Sequence, residues 1–278
     1  MNQQDDFSEE VAVAERAATE AGAIVMALYG KDYQIREKKR GDPVTAADLE
    51  ANLKIRQIIL DRFPEDGWLS EEDVDNPKRR EVSRVWVIDP IDGTKEFIEG
   101  VPQFAVSIAL VIDGDPVVSV VYNPAAEKFF RAVRGKGAIL NGNPIHVGTR
   151  SELEGSLLLV SRSEPRRKFQ SFAERCRIES VGSIAYRLAL VAGGEGDGTL
   201  TFRTIREWDV CGGVLMVEEA GGMVLDGSAK RLVFNQESAS HRAVVASNQA
   251  LTVPLQGILA EALAQEKESH AKDAREGS

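Results

Sequence analysis

"WVIDPIDGTKEF", residues 86–97, begins as an apolar strand and ends in two aspartates three positions apart. Pro90 stands between Asp89 and Asp92, and Gly93-Thr94 follow. Carboxylates placed so close repel each other unless a positive charge lies between them. Proline narrows the backbone there, and glycine permits a tight or positive-φ turn. Both carboxylates, joined by the carbonyl of Ile91, are then free to face one point. Hard oxygen ligands of this kind suit Mg²⁺, Mn²⁺ or Ca²⁺. A strand-ending turn with two solvated aspartates fits the same residues equally well. An EF-hand loop does not, because Ile91 and Gly93 occupy positions that would have to hold acids or amides. Nor does an Asp-x-Asp-x-Thr nucleophile signature, since Pro90 stands two residues before Asp92.

The surrounding chain limits what such a site serves. It has 278 residues, 43% of them apolar, enough for one large or two smaller domains. The net charge of −10 disfavours nucleic acid or an anionic membrane as partner. An anionic substrate would then need a cation to mediate. The N-terminus, "MNQQDDFSEE", lacks the basic and apolar regions of a signal peptide. The most apolar run, Phe104–Ile112, is far shorter than the ~20 residues of a membrane span. These features predict a cytoplasmic protein. Cys176 and Cys211 fit reduced thiols. His146, His241 and His270 form no close pair, which argues against a His-rich zinc site.

Apolar periodicity predicts a helix over 8–29, with Val11, Ala14, Ala18, Ala21, Val25 and Leu28 on one face. A second helix runs from Asp42 or Thr45 to about Phe63. Strands follow at 85–88, 104–112, 116–122 and 129–133, with "DGD" (113–115) as a hairpin signal and "LNGNPI" (140–145) as a further turn. After residue 150 the pattern becomes a strand at 156–161, helices at 183–193 and 208–221, a strand at 243–247, and a helix at 252–265. This divides the chain into an α+β half (1–150), a smaller α/β half (151–265) and a tail (266–278) read as frayed and disordered.

Further carboxylates lie elsewhere. "LSEED" carries Glu71 and Glu72 in a polar loop, "EWDVCGG" puts Asp209 at the start of an apolar helix, and "DPVTAAD" supplies Asp48. Taken singly, Asp209 is an ordinary helix-start acid and Asp48 part of a capping pattern.

Together, "VTAAD", "SEED", "WVIDPIDGTKEF" and "WDVCGGVLMVEEAGG", in that order, resemble the lithium-sensitive, Mg²⁺-dependent phosphatase superfamily. That superfamily contains inositol monophosphatase, fructose-1,6-bisphosphatase and 3′(2′),5′-bisphosphate nucleotidase. The resemblance spans residues 10–250 and implies an α/β (α+β) fold, a layered αβαβα sandwich of the sugar-phosphatase type. It implies a metal shell of Glu71, Asp89, the Ile91 carbonyl, Asp92 and Asp209 for two or three Mg²⁺ ions, with Mn²⁺ able to substitute. It implies that Asp48 and Thr94, with Glu71, orient the attacking water, and that Gly93 and Thr94 offer backbone N–H groups to the phosphate. Cations between the aspartates would then answer the repulsion and bridge an acidic protein to an anionic substrate.

The partner implied is a small phosphorylated metabolite. "DPIDGTKEF" and "LVSRSE" (159–164) look most like the bacterial bisphosphate nucleotidases, with Arg162, Ser183, Arg187 and Arg203 as substrate-binding candidates. Inositol monophosphatases usually carry a Glu facing the sugar hydroxyls where "LTFRTIREWD" here has Phe202 and Arg203. "GKGAILNGNPIHV" (135–147) is similar to the inositol enzymes instead. The first expectation is therefore removal of the 3′-phosphate of adenosine 3′,5′-bisphosphate, with an inositol or sugar phosphate phosphatase as the alternative. A homodimer is compatible with the resemblance, although no interface is legible in the residues. A relative that kept the fold and lost catalysis would have no reason to keep the carboxylate cluster.

Overall fold

The computed structural model describes residues 6–31, 35–39 and 42–276. The first five residues and the last two lie outside the described residues. In chain order the elements are α1 (Ser8–Leu28), β1 (Ile35–Lys39), β2 (Asp42–Thr45), α2 (Ala46–Arg62), β3 (Gly67–Ser70), a 3₁₀ turn Pro77–Glu81, β4 (Arg84–Asp92), the single turn α3 (Thr94–Ile98), β5 (Ala105–Ile112), β6 (Asp115–Asn123), β7 (Lys128–Val133), β8 (Gly137–Leu140) and β9 (Asn143–Ile145). There follow β10 (Leu157–Ser161), a 3₁₀ turn Arg166–Phe169, α4 (Gln170–Ala173), β11 (Arg177–Val181), α5 (Ile184–Ala192), β12 (Gly198–Arg206), α6 (Glu207–Glu219), β13 (Gly222–Asp226), β14 (Ser240–Asn248) and α7 (Gln249–Glu276).

Alternating side chains build the layers. β3 to β9 form a seven-stranded sheet in sequence order, antiparallel except for the β3–β4 pair. Trp86, Ile88, Ile108 and Val120 point from one face onto α1 and α2. Val85, Val87, Ala109 and Val121 point the opposite way, onto α5 and α6. A second sheet, ordered β11-β10-β12-β14-β13, covers the far side of those helices through Leu159, Val244 and Ala246. Its outer face, with Leu158, Val160, Leu200 and Val245, packs on Leu251, Leu255 and Leu259 of α7. The result is an α-β-α-β-α stack. α5 and α6 come from the second half of the chain yet share one core with both sheets.

The predicted turns occur where φ > 0 is required. Asp113-Gly114 and Asn141-Gly142 all have positive φ and link β5–β6 and β8–β9. The 252–265 helix is longer than its sequence pattern indicates. Its backbone remains helical to Glu276 rather than fraying after 265. "QEKESHAKDARE" has no apolar stripe, but it is rich in strong helix formers and lacks Gly and Pro, so helix propensity sustains it. β11 and β12 escape a sequence reading because "RIESV" and "GTLTFRTIR" are diluted with charged and hydroxyl residues. Among the described residues, no helix is long and apolar enough to cross a membrane.

Candidate active site

In a regular strand, residues three apart point to opposite faces. Asp89 and Asp92 do not, because β4 carries a bulge there. Asp89 pairs with Ser107 and Asp92 with Ala105, so two residues, Pro90 and Ile91, stand opposite Val106 alone. The extra residue resets the alternation, and both aspartates line the same cavity. Proline fits the bulge because it has no N–H to offer the ladder. The Asp89 Oδ1 accepts the Ile91 N–H at 3.0 Å and locks the bend. Gly93 then turns the chain at φ +98°, where a Cβ would also stand 3.1 Å from the Gln103 carbonyl oxygen.

Glu71, just after β3, and Asp209, in the first turn of α6, complete the cluster. Carboxylate oxygens of Glu71, Asp89 and Asp209 all lie within 4.8 Å of one another. Asp89 and Asp209 accept backbone N–H groups from Ile91 and from Arg206, and among the described residues neither is hydrogen-bonded to a basic side chain. Burial first, then the Glu71, Asp92 and Asp209 charges, pushes the Asp89 carboxyl well above its ordinary range. Asp209 is pushed the same way, by burial and then by Asp92 and Glu71. Converging hard-oxygen donors, whose mutual repulsion a cation would relieve, are a fitting metal site.

Asp92 stands beside this trio. Its Oδ2 accepts the Ser183 hydroxyl and the Ala185 N–H, both at 2.6 Å. Burial lifts its carboxyl to about 6, although these two bonds and the Arg187 charge pull it down. Ser183 also caps α5 by accepting the Tyr186 N–H, in a left-handed conformation at φ +53°. Its one proton is thus committed to Asp92, and its contribution to the cavity is to hold that aspartate.

Asp48 makes the capping contact and also reaches Thr94. It closes a capping box, accepting from the Thr45 N–H at 2.8 Å and hydroxyl at 2.7 Å. Its other oxygen accepts the Thr94 hydroxyl at 3.1 Å. Burial raises the Asp48 carboxyl and these bonds oppose it. Asp48 itself does not line the cavity, whereas Thr94 does, so Asp48 acts through Thr94. Thr94 also lies 3.2 Å from the Ile91 carbonyl oxygen.

The three arginines part company. Arg187 is 3% exposed and lines the cavity, and its Nε and Nη1 have no hydrogen-bond partner among the described residues. Burial pulls its guanidinium down to about 10, against the Asp92, Glu164 and Glu96 charges. Arg203 lines the rim, donating to the Ser163 carbonyl at 2.7 Å. Arg162 is outside the lining and paired with Glu99 at 2.9 Å and Glu96 at 3.6 Å. Phe202 turns away from the cavity and packs on Phe169 and Phe172. The cavity measures about 470 Å³, room for a small phosphate ester. Sequence reasoning missed Glu164, a buried wall residue that binds the Thr201 hydroxyl and the Phe202 N–H. Its only signal was its place beside the "SRS" turn.

The family model for the Inositol monophosphatase family matches residues 6–276. An inositol-1-monophosphatase of Synechocystis is 40% identical over 76% of this chain and 77% of its own length. A histidinol-phosphatase of Chlorobaculum parvum is 33% identical over 84% of this chain and 90% of its own. Among solved structures, the Thermotoga maritima IMPase superposes with a TM-score of 0.83 at 30% identity, covering 92% of this chain and 99% of that one.

Proposed function

The chain belongs to the inositol monophosphatase family of metal-dependent phosphatases, and from that premise we propose that it is a Mg²⁺-dependent phosphomonoesterase that cleaves an inositol or sugar phosphate by attack of water. The observation that carries this reading is the convergence of Glu71, Asp89 and Asp209 within 4.8 Å in a cavity wide enough for such an ester. Glu71, Asp89, the Ile91 carbonyl, Asp92 and Asp209 would hold the metal. A divalent cation bound there supplies a water of lowered pKa and neutralises charge on phosphoryl oxygens.

The protein's own groups do the rest. The Thr94 hydroxyl donates to Asp48, with the Ile91 carbonyl as a second acceptor within reach, which leaves the Thr94 oxygen free to accept from the cavity side. An acceptor there orients a water by holding one of its protons. Gly93 and Thr94 place backbone N–H groups beside the reacting phosphate. Ser183 and the Ala185 N–H keep Asp92 ionised and aimed.

The Synechocystis relative, an inositol-1-monophosphatase, supports the inositol or sugar phosphate reading. One observation favours a second reading, a 3′,5′-bisphosphate nucleotidase. Arg187 brings a buried guanidinium to the cavity wall, and Phe202 withdraws where an acceptor for sugar hydroxyls would stand. A guanidinium there fits a second anionic group better than a neutral polyol or a cationic histidinol. Phosphate release from inositol 1-phosphate, fructose 1,6-bisphosphate, histidinol phosphate and adenosine 3′,5′-bisphosphate, with Mg²⁺ and with chelator, tests both. Metal-independent turnover, or none on any ester, overturns the first reading. The highest kcat/KM on the nucleotide would put the second in its place.

A further inference from the structure

Glu71 and Asp209 carry like charges and hang from different sheets, one after β3 and the other after β12. Their carboxylates nonetheless meet within the 4.8 Å cluster. β3 is an edge strand, held by the sheet on one side only. Hydrogen bonds beyond the sheet tie the loop after Glu71 to the start of α6.

Arg79, on the 3₁₀ turn beyond that loop, has a side chain only 1% exposed. Its Nε and Nη2 grip both oxygens of Asp75, at 2.7 and 3.1 Å, and so fasten the loop on itself. The same guanidinium reaches across the molecule. Nη1 donates to the Asn235 side-chain oxygen, and Nη2 donates to the Gln236 carbonyl at 2.9 Å. Asn235 answers with its Nδ2 on the Arg79 carbonyl at 3.3 Å.

The other side of that segment faces α6. Asn235, at φ +61°, turns its own N–H and the next one toward a single point. Glu207 fills the point, accepting the Asn235 N–H at 2.7 Å and the Gln236 N–H at 2.9 Å. Glu207 is fully buried and stands two residues before Asp209. An unbroken hydrogen-bonded path therefore runs from the Glu71 loop through Asp75, Arg79 and the 235–236 backbone to Glu207 and the Asp209 turn.

We propose that Arg79 and Glu207 are positioning residues: a buried clamp that sets the separation of Glu71 and Asp209 and thereby the affinity of the metal site. The clamp rests on the metal-dependent reading above. A bidentate fork suits the task, because it fixes direction as well as distance. Hydrogen bonds behind metal ligands commonly govern affinity by 10- to 100-fold.

The test uses the full chain, stripped of metal, with Arg79→Lys and Glu207→Gln. Lysine keeps the charge and loses the fork. Glutamine keeps the shape and offers one acceptor where two are needed. Arg84→Lys is the control, since Arg84 ties Asp66 and Glu10 together away from the cavity. Mn²⁺ affinity is read by calorimetry, beside the melting temperature of each metal-free protein. Arg79→Lys and Glu207→Gln should each weaken Mn²⁺ binding by about tenfold or more, while Arg84→Lys lowers the melting temperature and leaves the affinity alone. Turnover should recover toward wild type at saturating Mn²⁺, with the KM for substrate little changed. If either folded clamp variant binds Mn²⁺ within about twofold of wild type, the clamp is a stability device and the proposal fails. If wild type binds no Mn²⁺, the metal reading fails first and takes the clamp with it.

Discussion

Ser183 donates its hydroxyl to Asp92 across the interface between β4 and the start of α5, at 2.6 Å. The bond joins the two halves of the chain at the cavity, and it holds down an acid that burial would otherwise raise further. Ser183→Ala removes it and leaves the Ala185 N–H as the sole neutral donor to Asp92. A hydrogen bond to a charged group is worth about 1.5–3 kcal/mol. The Asp92 carboxyl should therefore rise beyond about 6, and Mn²⁺ should compete less well with protons. Calorimetric titration should show weaker Mn²⁺ binding, with the deficit larger at about pH 6.5 than at about pH 8. Equal affinity at both values would show that Ser183 only caps α5.

The acidic cluster sets an unusual pH dependence for the metal-free protein. Asp92 titrates near 6 in the folded chain, against ~3.9 when unfolded. A carboxyl raised by folding binds its proton more tightly in the folded state. Its contribution to stability is present below about pH 4 and is lost as pH rises through about 6. Asp89 and Asp209 are displaced in the same direction. With chelator present, the melting temperature should be higher near about pH 5 than near about pH 8. Saturating Mg²⁺ should raise it most at the higher pH, where the cation meets ionised ligands. Differential scanning calorimetry across that range is the measurement, and a flat chelated profile would contradict the repulsion.

Thr94 and Asp48 separate water orientation from metal binding. Thr94→Val keeps the side-chain shape and deletes the acceptor. Asp48→Asn lets an amide N–H face Thr94, which reverses the hydrogen bond and turns the Thr94 proton toward the cavity. Positioned proton acceptors contribute about 10²-fold or more. Both variants should lose kcat on that scale, with Mn²⁺ affinity close to wild type and KM little altered. Thr94→Ser should keep most of the activity. Near-normal turnover in Thr94→Val would remove Thr94 from the reaction.

The fold was legible wherever one residue type had one job. That Asp89 and Asp92 could face one point is legible in Pro90 and Gly93, although the bulge that brings this about is not, and the hairpins are legible in Asp-Gly and Asn-Gly. The layer order came with the family motifs, and alternation in β4 and β10 then showed how each face is used. Side chains with two jobs were less legible. Asp48 closes a capping box and also steers Thr94. Ser183 reads as a substrate contact, and its hydroxyl also donates to Asp92 and caps α5. Arg162 reads as a free cation until Glu96 and Glu99 are seen beside it. Arg79 and Glu207 carry no sequence signal at all, because the backbone that joins them belongs to residues 235–236.

Arg187 joins stability to function. Among the described residues its buried Nε and Nη1 have no hydrogen-bond partner, and burial has already lowered its guanidinium to about 10, against the Asp92, Glu164 and Glu96 charges. Removing one member of a buried charge group leaves the others uncompensated and costs about 3–5 kcal/mol. Arg187→Met should therefore lower the melting temperature, more at about pH 8 than at about pH 5, where Asp92 takes up a proton. The substitution also removes a positive charge that lowers the Asp92 carboxyl, so activity is best compared near about pH 8, where Asp92 is ionised in either protein. Under those conditions the remaining loss reports what Arg187 does for the substrate. If its free N–H groups receive a second anionic group, kcat/KM on adenosine 3′,5′-bisphosphate should fall roughly 10- to 150-fold, the equivalent of a lost charge-assisted bond. Turnover of inositol 1-phosphate should hold within a small factor. Equal losses on both esters would place Arg187 with the reacting phosphate instead, and no loss on either would leave the inositol or sugar phosphate reading without a rival.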